Sequence, residues 1–206
     1  VVFINASAGI VGSIIGKLAK LAGAKLVIGT AGGPVKSKLA VEKYGYDVCI
    51  DYKEFNQATD AEKSEAFGAR IKEILAEHKV DAIDVYYDLV GSWMTDAIIG
   101  QELIKFQGKA IIIGAIDEYN AETNLGPRLL FKLIYKAITV RGFIVFEYFG
   151  PQFPEYYKEF EGDMIPLIKD KTMNLDETIV EGFDNISEAF IGLFQGKNTG
   201  KMIVKP

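Results

Sequence analysis

Two textures alternate along the chain. Short, mostly apolar runs at residues 1–4, 25–29, 46–50, 82–87 and 109–113 are rich in Val, Ile and aromatic side chains and read as buried strands. Between them apolar residues recur at helical spacing, as in Ile14, Ile15, Leu18, Ala19, Leu21 and Ala22. That periodicity predicts helices after Gly12 and over 35–44, 69–78, 93–106 and 129–136, with 51–68 a polar loop running into the third of them. Gly45 stands where a helix C-cap wants glycine. A sixth strand is expected over 138–146. Strands that are largely apolar rather than alternating, interleaved with helices, are the pattern of a parallel sheet covered on both faces, so the expected fold is α/β, a Rossmann-type doubly wound sheet.

After Gly150 and Pro151 the texture changes to a charged helix over 154–169, a strand at 178–180, a helix over 186–194 capped by Asp184 or Asn185, and a strand at 202–204. These do not continue the alternation. The expected division is therefore a nucleotide-binding Rossmann domain over 1–150 and a C-terminal α/β return segment over 151–206.

Composition narrows the function classes. With 23 Lys and Arg against 28 Asp and Glu, the net charge of −5 offers no electrostatic case for nucleic acid or an anionic membrane. The longest apolar run, near 110–116, is far shorter than a membrane span, and the first residues lack a basic leader, so a soluble, cytoplasmic setting is expected. A single cysteine makes no internal disulfide and fits a reducing compartment. Cys49, inside an apolar run, reads as core filler rather than a reactive thiol, and His78 sits in a charged helix. One Cys and one His assemble neither a zinc site of soft ligands nor a Cys–His pair, so no metal is expected.

The candidate chemistry lies in the first strand-to-helix turn, where Ser7-x-Gly9-x-x-Gly12 has the spacing of the dinucleotide fingerprint with Ser in place of its first Gly. Gly9 would let the backbone approach a pyrophosphate, Gly12 would let the helix pack close on the strand, and the free N–H groups of the helix N-terminus with its positive dipole end would hold the phosphates. A glycine turn without a ligand has the same appearance. Sites that prefer NAD end the second strand on an acid; here it ends Gly29-Thr-Ala-Gly32-Gly33, with Lys36 following, which suits a 2′-phosphate. Lys36 also reads as a solvated helix-start lysine, and Tyr52 either covers the adenosine end or is an ordinary surface ring. The Tyr-x-x-x-Lys pair of short-chain dehydrogenases is absent.

Taken together, Ser7–Gly12, Gly29–Gly32 with Lys36, Asp51-Tyr-Lys53, Val85-Tyr-Tyr-Asp-Leu-Val-Gly91, Gly114-Ala-Ile-Asp-Glu-Tyr-Asn120, Gly142-Phe-Ile-Val145, Val180-Glu-Gly-Phe-Asp-Asn185 and Asn198-Thr-Gly-Lys201 resemble, in that order, the zinc-independent medium-chain dehydrogenase/reductases of the prostaglandin reductase and curcumin reductase kind. The resemblance spans essentially the whole chain. It implies an NADP(H)-dependent oxidoreductase reducing the carbon–carbon double bond of α,β-unsaturated ketones and aldehydes, or quinones, and a homodimer. By the same resemblance Gly9 to Gly12 take the pyrophosphate, and Gly32, Lys36 and Tyr52 the 2′-phosphate. Gly114, Ala115, Phe143, Ile144 and Val145 face the nicotinamide, with Asn198 closing from the C-terminal loop. Tyr119 is implied as donor to the substrate carbonyl, against the plainer reading of a loop tyrosine packed on a neighbour.

Two departures stand out. Leu89 replaces the family's Asn, which removes a hydrogen bond on the ribose side. Relatives also carry an N-terminal GroES-like domain that builds much of the substrate cleft and receives the segment from about residue 171 onward. The expectation is a fragment or a shortened protein whose apolar return face is either exposed or covered by a partner. A non-catalytic NADP(H)-binding module, redox-sensing or interacting, is the alternative. The apolar sixth strand, at a sheet edge, is the expected dimer contact.

Overall fold

The computed structural model describes residues 1–120, 130–148 and 154–206. Strands β1 (Val2–Ile4), β2 (Val27–Ala31), β3 (Val48–Asp51), β4 (Ile83–Asp88), β5 (Ile104–Ile112) and β6 (Thr139–Gly142) form one six-stranded sheet in the order β3-β2-β1-β4-β5-β6. Every pairing is parallel. The order reverses direction beside β1, which puts the β1 and β4 turns at the switch point where open α/β sheets bind ligands.

Successive strand residues point to opposite faces, and the two cores follow from that. Phe3 and Ile28 join one cluster with Phe67, Ile71, Ile74 and Ile98, from helices α3 (Asp60–Glu77) and α4 (Ser92–Gly100). Their sequence neighbours Ile4 and Val27 join the other with Ala40 of α2 (Pro34–Lys43), with its C-cap Tyr44, and with Ile15 and Ala19 of α1 (Ile10–Leu21). Phe67 stands edge-on to Phe3 at 6.1 Å and to Trp93 at 5.4 Å, the geometry aromatic quadrupoles favour.

Several expected boundaries move. The third helix begins at Asp60, nine residues before the expected 69, because Thr59 and Glu62 form a reciprocal capping box that anchors its first turn. The helix expected over 93–106 ends at Gly100: Glu102 turns to φ 57°, and Leu103 and Ile104 are buried as the chain enters β5. That strand pairs Ile83 with Ile104 and Val85 with Lys109, so a register shift accommodates the extra residues, Gln107 among them at φ 60°. Strand β6 is shorter than expected and leads into a single 3-10 turn at Val145–Glu147. Helix α5 (Leu130–Lys136) packs on β5; its expected start at 129 and the domain boundary at 150–151 lie outside the described residues.

The return segment comprises α6 (Pro154–Lys169), β7 (Glu177–Glu181), α7 (Ile186–Phe194) and β8 (Lys201–Lys205), with β7 and β8 parallel in a sheet of their own. No helix among the described residues is long and apolar enough to cross a membrane.

Candidate functional site

The turn between β1 and α1 is built by close approach. A Cβ on Gly12 would lie 2.3 Å from the Ala6 carbonyl oxygen, so only glycine lets α1 start there. Ser7 closes the turn by donating its N–H to Thr30 at 2.8 Å and its hydroxyl to the Ile4 carbonyl at 3.2 Å. Its side chain fills the space a Cβ on Gly29 would need. Buried Tyr46 donates its hydroxyl to the Gly12 carbonyl at 2.7 Å, and its ring occupies the space beside Gly16 and Gly29. Burial pushes the Tyr46 phenol far above its ordinary pKa, which keeps it a donor. Gly9, the N-cap, offers no side chain to the first turn of α1, and that turn holds no acid. The amides of Ile10, Val11 and Gly12 thus open a helix N-terminus suited to an anion.

At the end of β2 the chain needs a second pair of glycines. Gly33 adopts φ 97° and donates its N–H to Asp51 at 2.8 Å; Asp51 also accepts from the Lys53 amide at 3.0 Å. This turns Tyr52 over Gly32, where a Cβ would lie 2.8 Å from its hydroxyl. Burial, then the charges of Asp117 and Asp51, raise the Tyr52 pKa, so it too remains a donor. Lys36, from the first turn of α2, faces the same space, and burial followed by the charge of Lys53 holds its pKa below the ordinary lysine value.

A buried carboxylate organises the turn after β4. Asp88 is 1% exposed and accepts from Asn5 Nδ2 at 2.7 Å, from the Gly91 and Val90 amides at 2.8 and 3.0 Å, and from the Thr95 hydroxyl. Asn5 Oδ1 in turn holds the Leu89 amide at 2.7 Å. All these partners are neutral, and together they satisfy a charge that would otherwise be costly to bury. This turn then fixes the one after β5: the Asp88 carbonyl accepts from Ile113 and Gly114, and the Val90 carbonyl from Asp117. Tyr119 follows, 65% exposed, its hydroxyl 3.6 Å from where a Cβ on Gly114 would sit.

The return segment reaches across to the glycine turn. Gly200 donates to the Ala8 carbonyl at 2.8 Å and forms a parallel bridge with Gly9, while Lys36 Nζ donates to the carbonyls of Gly196 and Asn198, each at 2.5 Å. Further along, Asp176 accepts from Lys43 and from Tyr44. The result is a cleft of about 430 Å³ walled by Gly9 to Gly12, Gly32, Lys36, Tyr52, Leu89 and the loop at 196–202.

Expected site residues fall into three groups. Gly9, Ile10, Val11, Gly12, Gly32, Lys36, Tyr52 and Asn198 line this one cleft. Gly114 and Ala115 lie beside it with Tyr119, while Ile144 and Val145 are largely exposed and Phe143 stacks on Tyr148 at 5.6 Å. Asn198 reaches the cleft from the C-terminal loop. Its carbonyl accepts from Lys36 and its side-chain amide donates to the Gly200 carbonyl at 2.8 Å, next to the Gly9–Gly200 bridge.

The family described as zinc-binding dehydrogenase matches residues 11–168. The chain belongs to the zinc-binding dehydrogenase family. It is 34% identical over 203 residues to the NADP(+)-dependent 2-alkenal reductase of Nicotiana tabacum, covering 98% of this chain and 53% of that one. It is 32% identical over 207 residues to the NADPH-dependent curcumin reductase of Escherichia coli, covering 98% and 54%. The solved structure of CurA from Vibrio vulnificus in complex with NADPH superposes with TM-score 0.81 at 33% identity, over 99% of this chain and 56% of that one. The chain therefore spans about half the length of these relatives. The family's description names zinc, and this chain's donors do not fit it. Burial pushes the Cys49 thiol up to about 11, His78 Nδ1 is engaged by the Ile74 carbonyl at 3.0 Å, and no group of three His, Cys, Asp or Glu side chains converges among the described residues.

Sequence reading missed Asn5, Tyr46, Asp88 and Glu118 as site-building residues. The pair Gly12 and Gly16, one helical turn apart, was a signal for a ring seated against α1. An Asp closing a strand directly before Leu89-Val-Gly91 was a signal for Asp88.

Proposed function

We propose that this chain is the nucleotide-binding part of an NADPH-dependent reductase acting on the carbon–carbon double bond of α,β-unsaturated ketones and aldehydes, with quinones as vinylogous substrates. The observation that carries this is the convergence of Lys36, Tyr52 and Gly32 on one end of a cleft whose other wall is the open N-terminus of α1. A cation and a phenol donor at a strand end with no carboxylate suit a 2′-phosphate, and the amides of Ile10 to Gly12 suit a pyrophosphate. Relatives at 32–34% identity bear names that specify NADP and an alkenal or curcumin substrate.

In this reading Gly114, Ala115 and the backbone of Phe143, Ile144 and Val145 form the wall for the nicotinamide, and the Asn198 loop closes the cleft. NADPH, when bound, supplies hydride to the β-carbon. Negative charge then gathers on the carbonyl oxygen, where the Tyr119 hydroxyl donates and stabilises the enolate, which resolves by taking a proton at its α-carbon. Leu89 presents an alkyl side chain to the cleft where an amide would reach a ribose hydroxyl.

The deciding experiment is calorimetric titration of the 206-residue chain with NADPH and NADH, repeated on Lys36→Ala. Tight NADPH binding that the substitution weakens supports the reading; no binding of either nucleotide would overturn it. Binding by a protein that turns over no enone would move the non-catalytic module ahead. We further propose a homodimer through β6, an edge strand all of whose residues are exposed, in a cytoplasmic setting suited to a chain with one cysteine.

A further inference from the structure

Helix α4 begins at Ser92 after Gly91, an N-cap with no side chain to offer, and its first turn contains no acid. The missing acceptor comes from another turn. Glu118 Oε1 accepts the Ser92 N–H at 3.0 Å, placing a carboxylate at the positive end of the α4 dipole. The approach is close enough that a Cβ on Gly91 would lie 2.8 Å from the same oxygen, and Gly91 is held at φ 79°, so this position is built as glycine. The backbone of the turn is tied through Ile113, Gly114 and Asp117 to the buried Asp88 turn. Glu118 adds a side-chain tether immediately before Tyr119, whose hydroxyl stands over Gly114.

We infer that Glu118 is a positioning residue for Tyr119: its bond to the Ser92 amide fixes the height and direction from which the Tyr119 hydroxyl meets the substrate carbonyl. The inference rests on the reading of Tyr119 as that donor. An exposed tyrosine on an untethered turn would sample many orientations, and a donor displaced by a fraction of its hydrogen-bond length stabilises the developing oxyanion poorly. A carboxylate serves better than a hydroxyl here because it is long enough to span the two turns and its charge is stabilised by the helix end.

The test is steady-state reduction of an unbranched 2-alkenal by the protein as expressed from its gene, together with hydrogen exchange at the Ser92 amide. In Glu118→Ala kcat falls roughly tenfold while KM for NADPH is unchanged, the loss expected when a catalytic group is misoriented rather than removed. Glu118→Gln, whose amide oxygen still accepts from Ser92, restores most of it. The double variant Glu118→Ala/Tyr119→Phe is no slower than Tyr119→Phe alone, because both act through one hydroxyl. Ser92 exchange speeds up in Ala but not in Gln. Wild-type kcat in Glu118→Ala, or a double variant slower than Tyr119→Phe, overturns the inference. Wild-type kcat in Tyr119→Phe overturns the reading of Tyr119 and the positioning role with it, whereas unchanged Ser92 exchange in the Ala variant overturns the tether alone. If Glu118→Ala fails to fold, Glu118→Asp replaces it, being too short to span the turns, and the same outcomes decide.

Discussion

Lys36 Nζ lies 2.5 Å from the carbonyl oxygen of Asn198, 162 positions further along the chain. The cation in the cleft wall therefore also holds the loop beside it, so under the proposed function nucleotide preference and loop order share a single side chain. Lys36→Met is expected to weaken NADPH binding by roughly ten- to hundredfold, the worth of one charge-assisted hydrogen bond, with NADH affected far less. The same variant is expected to raise hydrogen exchange across 196–200. Because burial and then Lys53 depress the Lys36 pKa, its charge is lost at lower pH than an ordinary lysine's. The preference for NADPH should accordingly fade as pH rises through that depressed value. Calorimetry with both nucleotides across the alkaline range checks this, and equal losses for the two would refute the assignment.

Gly12 is intolerant for a steric reason. A Cβ placed 2.3 Å from the backbone oxygen of Ala6 cannot be relieved by a side-chain rotation, so Gly12→Ala must shift the turn or the helix. We expect a loss of about 1–3 kcal/mol in urea unfolding, the usual range for overpacking, together with loss of nucleotide binding. Gly23→Ala serves as a control for stability: it has φ 84° but nothing within 4 Å of its Cβ. It should cost conformational strain without touching binding.

Docking of the return segment is acid-sensitive. Burial works against the charge on Asp176, but hydrogen bonds from Lys43 and Tyr44 outweigh it and hold the carboxyl below the ordinary aspartate value. A depressed folded-state pKa means that its stabilisation is complete above the unfolded value and is lost as pH falls through the folded one, hence below about pH 4. NMR shifts of Thr178 and Met202 followed from pH 6 to pH 3 should move in that window, and Asp176→Asn should show the low-pH positions already at pH 6. Shifts that stay constant over the range would contradict the anchoring role.

The exposed edge of β6 predicts self-association. Val140, 44% exposed, pairs with Ala110 of β5 and, among the described residues, lies at an open edge of the sheet. Light scattering after size exclusion is expected to give a dimer for the unmodified chain and a monomer for Val140→Lys, since an edge lysine disfavours strand pairing. A monomer mass for the unmodified chain at all concentrations would end the proposal.

The sequence by itself determined the alternation of strands and helices, the parallel sheet and the glycine turn. Each is written in near-neighbour periodicity, and a steric requirement such as that of Gly12 leaves glycine as its trace. The order of motifs also carried the family, because eight short patterns in register are far more specific than one. Boundaries decided by contacts at a distance were not legible in the same way. The end of α4 at Gly100 depends on Leu103 and Ile104 finding the sheet, and helix periodicity continues plausibly through both. Only tertiary structure decided that Tyr46 seats against Gly16 and Gly29, that Asn5 and Asp88 lock the turn after β4, that Glu118 caps a helix it does not belong to, and that the Asn198 carbonyl meets Lys36. Each of these joins residues tens to hundreds of positions apart. Such pairings are set by how two covered sheet faces and a returning segment close in space, and a one-dimensional pattern does not record that closure.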